Sequence, residues 1–137
     1  MPVNVKTVRQ AGSGYALPFL GPHTDYTVQI DIDVTALTDD EIDQDGYLKP
    51  GTPFDIAGAL VGASPAFVYG VSIEPIKVAE GNDAASIAAA SDAFQIAVLV
   101  IGIVNRDAVE DNLGRALTAN EIAGFDRAGS KLVLTAT

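Results

Sequence analysis

The sequence has no cysteine and a single histidine, and both shortages narrow the chemistry open to it. Without cysteine there is no disulfide framework and no thiolate nucleophile or ligand. A serine nucleophile needs a base beside it, and the one histidine, His23, lies in a stretch broken by Gly21 and Pro22. It is read as structural or solvent-exposed. Zinc requires clustered histidine or cysteine ligands, which one histidine cannot supply. No Gly-x-Gly-x-x-Gly follows a strand, and Gly58-Ala59-Leu60-Val61-Gly62 lacks the lysine of a phosphate loop. The expectation is a chain that is not an enzyme, with no catalytic residues, no metal site and no cofactor.

Basic side chains are also scarce, eight against eighteen acidic ones, for a net charge of −10. Affinity for a phosphate backbone depends on lysine and arginine displacing counterions, so nucleic acid is not expected as a partner. The longest apolar run, Ile96 to Val104, falls far short of the ~20 residues that cross a bilayer. The opening Met1-Pro2-Val3-Asn4-Val5-Lys6 lacks an apolar stretch of secretory length. A soluble, unprocessed chain with no membrane partner is expected, and synthesis in the cytosol is permitted.

What is present fits one domain, since 137 residues bury enough surface for a real core without staples. Residues 1–24 stand apart. They carry Lys6 and Arg9 and no acid, a charge of +2 against −12 for the remainder. Gly12-Ser13-Gly14, Pro18 and Gly21-Pro22 break any periodicity, yet Val3, Val5, Val8, Tyr15, Leu17, Phe19 and Leu20 are large and apolar. Solvated tails are poor in such groups, so an extended arm is expected whose apolar side chains are buried by the body or by a partner. The charge asymmetry is open to two readings, chance in a short segment or an arm that docks on another surface.

The body, 25–137, reads as mainly β with short helices. From Asp25 to Val34 the alternation is clean, with Asp31 and Asp33 on the wet side. Thr38-Asp39-Asp40-Glu41 matches a capping box for one helical turn, and Asp45-Gly46 and Pro50-Gly51 mark turns around Tyr47-Leu48-Lys49. Phe54 to Leu60 fits no single element. Ala66 to Val71 and Ile73 to Val78 read as short strands, and Gly81 to Asp92 as a loop. Ala93 to Val104 is apolar at both parities, which predicts a central strand covered on both faces. A short helix is expected from Asp107 to Leu113, stopped by Gly114. Thr118-Ala119-Asn120-Glu121 is a second capping box, with Leu117 and Ile122 as a staple, for a helix to about Ala128. Lys131 to Leu134 closes the chain as a strand.

Acidic residues provide the remaining candidates for chemistry. Glu41, Asp43, Asp45 and Gly46 fall at positions 1, 3, 5 and 6 of a calcium loop, but position 12 is Thr52, and Pro50-Gly51 stand where the exit helix belongs. An acidic turn is the expected reading. Asp31 and Asp33 are read as a solvated, aggregation-resistant surface rather than an acid–base pair.

Three stretches carry a resemblance: Gly46-Tyr47-Leu48-Lys49-Pro50-Gly51-Thr52-Pro53-Phe54, Val68-Tyr69-Gly70-Val71, and Gly102 to Leu113. In that order they resemble the head decoration proteins of tailed bacteriophages, broadly the lambda-type cementing family, over roughly residues 25–135. The resemblance implies a compact β-barrel or β-tulip-like body with an extended N-terminal arm. It further implies a homotrimer on the outer surface of the virion that binds the major capsid protein at local three-fold positions and cements neighbouring subunits. On this chain the capsid-binding arm would be carried by Val3, Val5, Lys6, Val8, Arg9, Tyr15, Leu17 and Phe19. The sequence departs from the lambda type in a longer C-terminal end bearing the Thr118-capped helix. The alternative from a different class is a free ligand-binding module, calcium- or glycan-directed, using the Glu41 to Gly46 turn and the face of Asp31 and Asp33.

Overall fold

The computed structural model describes residues 14–21, 26–62 and 65–136. Its elements follow one another as β1 (Phe19–Leu20), β2 (Thr27–Ile32), β3 (Tyr47–Leu48), β4 (Pro53–Phe54), β5 (Gly70–Ser72), β6 (Ile76–Lys77), α1 (Ala84–Ala88), β7 (Phe94–Leu99), β8 (Ile101–Val104), α2 (Arg106–Leu113), α3 (Ala119–Asp126) and β9 (Lys131–Leu134). The strands form three small sheets, in the orders β1-β8-β9, β2-β7-β5-β4 and β3-β6. All pairings are antiparallel except β8 with β9. The chain is thus sheet-rich with three short helices, and no barrel closes among the described residues.

The apolar run Ala93 to Val104 gives two strands where one was expected. The Val100 N–H donates to the Tyr26 carbonyl at 2.9 Å, and Gly102 adopts φ +149°, a conformation that residues with a Cβ rarely take. The chain therefore leaves the four-stranded sheet after Leu99 and enters the three-stranded one at Ile101. β7 is covered along one face only: at its end Leu99 joins one core with Phe19, Val71, Val104, Val109, Phe125 and Leu132, and Ile96 and Val98 join a second core with Ile32, Ile42, Leu48 and Phe54, whereas Gln95 and Ala97 on the face of Leu99 are exposed, so the coverage expected on both sides is not found along the strand. β8 is covered on one face only, since Ile101 and Ile103 stay 40% and 44% exposed.

Gly81 to Asp92 also differs from its expectation. Asp83 caps α1, accepting from the Ser86 N–H and hydroxyl, and these bonds hold its carboxyl below the ordinary range. Ile87, the one large apolar residue of the segment, is buried in the second core and anchors the helix. The strands expected over 66–71 and 73–78 shrink to β5 and β6, because Val68 donates to the Gly124 carbonyl of α3 instead of to a sheet. Phe54 to Leu60 is a turn, in which the Asp55 carboxylate accepts from the Ala57 and Ala59 amides.

The locally encoded elements match their expectations. Thr118 and Glu121 form the reciprocal capping box of α3, which ends at Asp126, two residues before the expected Ala128. Gly114 ends α2 in the left-handed region at φ +72°. The cap of α2 is Asn105, one turn position earlier than the acids suggested.

Candidate functional site

Of the residues assigned to a docking arm, Tyr15, Leu17 and Phe19 lie within the described residues, whereas Val3, Val5, Lys6, Val8 and Arg9 lie outside them, as does His23. Residues 14–21 rest on the body. Phe19 is 9% exposed and belongs to the first core, Leu17 packs against that core, and Ala16 is fully buried. Two polar contacts hold the segment down. The Asn112 side chain bonds both ends of Ala16, and the Tyr15 hydroxyl donates to the Asp43 carboxylate at 2.5 Å. Burial, then the bond to Asp43, raises the phenol pKa above its ordinary value, so Tyr15 stays a donor at any physiological pH. Phe19 is thus a core group of the body, and Leu17 packs beside it half-buried.

β1 enters the sheet at Phe19↔Val104 and Leu20↔Ile103, and β9 continues it at Ile101↔Lys131 and Ile103↔Val133. Residues paired across adjacent strands share a face, so Phe19, Val104 and Leu132 turn inward while Leu20, Ile103 and Val133 form one outward row, with Ile101 and Lys131 beside it. Val133 is 62% exposed. None of the three strands contains an aspartate or glutamate, in a chain with eighteen of them. Contiguous exposed apolar side chains on a soluble domain mark a contact surface, whereas scattered ones do not. Periodicity alone does not reveal this face, because it depends on a parallel pairing between segments far apart in the chain.

Three of the acidic candidates, Asp33, Glu41 and Asp43, are engaged in holding turns. Asp43 Oδ1 accepts from the amides of Asp45 at 3.0 Å and Tyr47 at 2.9 Å, while its Oδ2 receives Tyr15. Glu41 is buried, and its Oε1 accepts from the Thr38 N–H and hydroxyl. Burial pushes its carboxyl above the ordinary range, opposed by the Thr38 bonds and by Arg115. Arg115 makes a two-pronged contact with buried Glu121, at 2.8 and 3.2 Å, which raises its own already high pKa. Asp33 is exposed and caps a single 3₁₀ turn at Val34–Ala36, and Asp31 is exposed opposite Gln95. Among the described residues no three acidic or histidine side chains are grouped to hold a metal ion.

A cleft of about 300 Å³ opens beyond the end of β5, lined by Leu48, Ile73, Glu74, Pro75, Ile76 and Ile96 among others. Ser72 at its wall already donates to the Lys49 carbonyl and accepts from the Thr52 amide, so it is held as a structural bridge. The lining includes no aromatic ring, and its one ionisable side chain is Glu74. A scan against protein-family models finds no match for the chain, and a search of curated proteins finds none.

Proposed function

We propose that this chain is a decoration protein of a tailed-phage head, a structural binder that sits on the outer surface of the capsid and cements neighbouring subunits of the major capsid protein. The observation that carries the proposal is the acid-free apolar row Leu20, Ile103 and Val133, set in a chain of net charge −10, at the strand that residues 1–18 lead into. Such a surface suits adhesion to another protein, and the strongly acidic remainder keeps particles soluble and mutually repelling. The motif order Gly46 to Phe54, Val68 to Val71 and Gly102 to Leu113 supplies the phage-head context.

A homotrimer, a tulip-like open body and an extended arm over the residues before Gly14 belong to the same proposal. Three arms on one particle convert the second and third contacts into near-intramolecular events, so weak single contacts add up to lasting attachment. The alternative of a calcium- or glycan-directed module draws less support, because Asp43 is occupied by two amides and a phenol and the cleft has no ring on which a sugar could stack.

The test is co-sedimentation with expanded, undecorated heads. The full chain is expected to pellet with the heads. A variant lacking residues 2–13 keeps the Asn112–Ala16 and Tyr15–Asp43 bonds and is expected to fold but bind far less. Failure of the full chain to bind would refute the proposal, and undiminished binding by the truncation would remove the arm from it.

A further inference from the structure

We infer that the cleft beyond the end of β5 is a binding site for a small aliphatic amine, with Glu74 meeting the ammonium group and the apolar floor taking the carbon chain. At about 300 Å³ the cleft lies at the lower end of the range for small-ligand sites. Its walls come from two sheets: Ser72, Ile96 and Ala97 belong to the four-stranded one, Leu48 and Ile76 to the β3-β6 pair. It exists because β5 and β7 separate. Their pairing stops at Ser72↔Val98, and the chain then runs through Pro75 to reach β6. The walls are fixed by the fold itself, since Leu48, Ile73 and Ile96 are buried core residues and Ser72 is pinned between the Lys49 carbonyl and the Thr52 amide. A site already ordered loses little on binding.

The lining chooses the ligand. Leu48, Ile73, Pro75, Ile76 and Ile96 offer hydrocarbon, and among the described lining residues Glu74 is the one ionisable side chain. Glu74 is exposed while Leu48, Ile73 and Ile96 are buried, which sets charge at the rim and hydrocarbon at the floor. Lys77, next along β6, is outside the lining. The net charge of −10 adds a field that draws cations and repels carboxylates and phosphates. A quaternary ammonium group calls for aromatic faces, which the described lining does not have. A primary ammonium needs acceptors instead, and the Glu74 carboxylate and the Thr27 hydroxyl supply them. The ligand class is therefore an alkylammonium rather than an anion, a quaternary cation or a sugar. The site stands apart from the decoration proposal, and its test involves no heads.

The test is titration of the full chain with alkylamines, followed by methyl NMR. The Ile73, Ile76 and Ile96 methyl signals are expected to shift together at millimolar hexylamine, and affinity is expected to rise about fourfold per methylene from butylamine to hexylamine. Hexanol is expected to bind more weakly than hexylamine. Glu74→Gln is expected to lose about threefold in affinity for the amine and nothing for the alcohol, as suits a carboxylate at the surface. Ala97→Phe, at an exposed position in the lining, is expected to keep the thermal midpoint and to abolish the shifts by filling the cleft. Methyl signals that do not move, or unchanged binding by Ala97→Phe, overturn the site. Equal affinity for hexanol and hexylamine, or equal amine affinity in Glu74→Gln and the unaltered chain, overturns the recognition of charge. Tighter binding of Nα-acetyl-lysine methylamide than of hexylamine assigns the cleft to a lysine side chain of a partner and overturns the small ligand.

Discussion

The side-chain amide of Asn112 brackets the peptide unit of Ala16: Oδ1 accepts the Ala16 N–H at 2.7 Å and Nδ2 donates to the Ala16 carbonyl at 2.8 Å. Nδ2 also donates to the Pro50 carbonyl at 3.1 Å. One buried side chain on α2 thereby ties the N-terminal segment to the Pro50 turn, and no other residue type has both a donor and an acceptor in that geometry except glutamine, which is a methylene longer. Because Ala16 is fully buried, no water stands ready to replace the lost partner.

Replacing Asn112 by leucine is expected to destabilise the protein by about 2–4 kcal/mol, since it removes the partner of the buried Ala16 N–H and of the Ala16 and Pro50 carbonyls together. Chemical denaturation measures the loss. Hydrogen exchange supplies a sharper reading, because the Ala16 amide should lose its protection well before the amides of β7. Unchanged protection at Ala16 would refute the clamp.

Gly46→Ala is expected to cost about 2–4 kcal/mol. Gly46 sits at φ +85°, and a Cβ there would come within 1.9 Å of the Ala79 carbonyl oxygen, which is backbone and cannot step aside. The Gly46 carbonyl also accepts from Val78 and Ala79, so the strain would reach the β3-β6 pair. A thermal midpoint equal to that of the unaltered protein would contradict this.

Thr118→Ala removes the hydroxyl that accepts the Glu121 amide and is expected to cost about 1 kcal/mol. Thr118→Ser keeps the oxygen and should recover most of that loss. The comparison isolates the cap from the threonine methyl, and equal losses in both variants would show that the cap contributes nothing.

Glu41 gives the protein a pH dependence of definite sign. Its folded-state pKa lies above the ordinary carboxylate value because of burial, so between the ordinary value and the raised one the folded state holds more protons than the unfolded state. Stability from this group therefore falls as pH rises through that window. Glu41→Gln keeps an oxygen for the Thr38 N–H and has no charge to bury. It is expected to match the parent protein below the ordinary carboxylate range and to be the more stable of the two at neutral pH. Denaturation midpoints across that range check it, and a variant less stable at neutral pH would reverse the account.

What could be read from the sequence was local in origin. The Thr118 box, the Gly114 stop, the alternation of β2 and the closing strand are each fixed by residues within a turn of one another. The Asp83 cap of α1 is equally local, and an aspartate three residues before Ser86 at the head of an alanine run was the signal that could have found it. The rest was not legible because it depends on distant partners. The fate of Leu17 and Phe19 is decided by Asn112 and Val104, far along the chain. The exposed row exists only because β8 accepts β1 on one side and β9 on the other. Periodicity shows that a residue is apolar, and it does not show whether the body or a partner covers it.

Electron microscopy of the purified chain mixed with expanded, undecorated heads is the test of the proposed adhesion to a phage shell. Added density is expected at the local three-fold positions, oriented with Leu20, Ile103 and Val133 toward the shell and the acidic turns outward. Heads that remain bare, or density attached through the acidic turns with the β1-β8-β9 face turned to solvent, would contradict it.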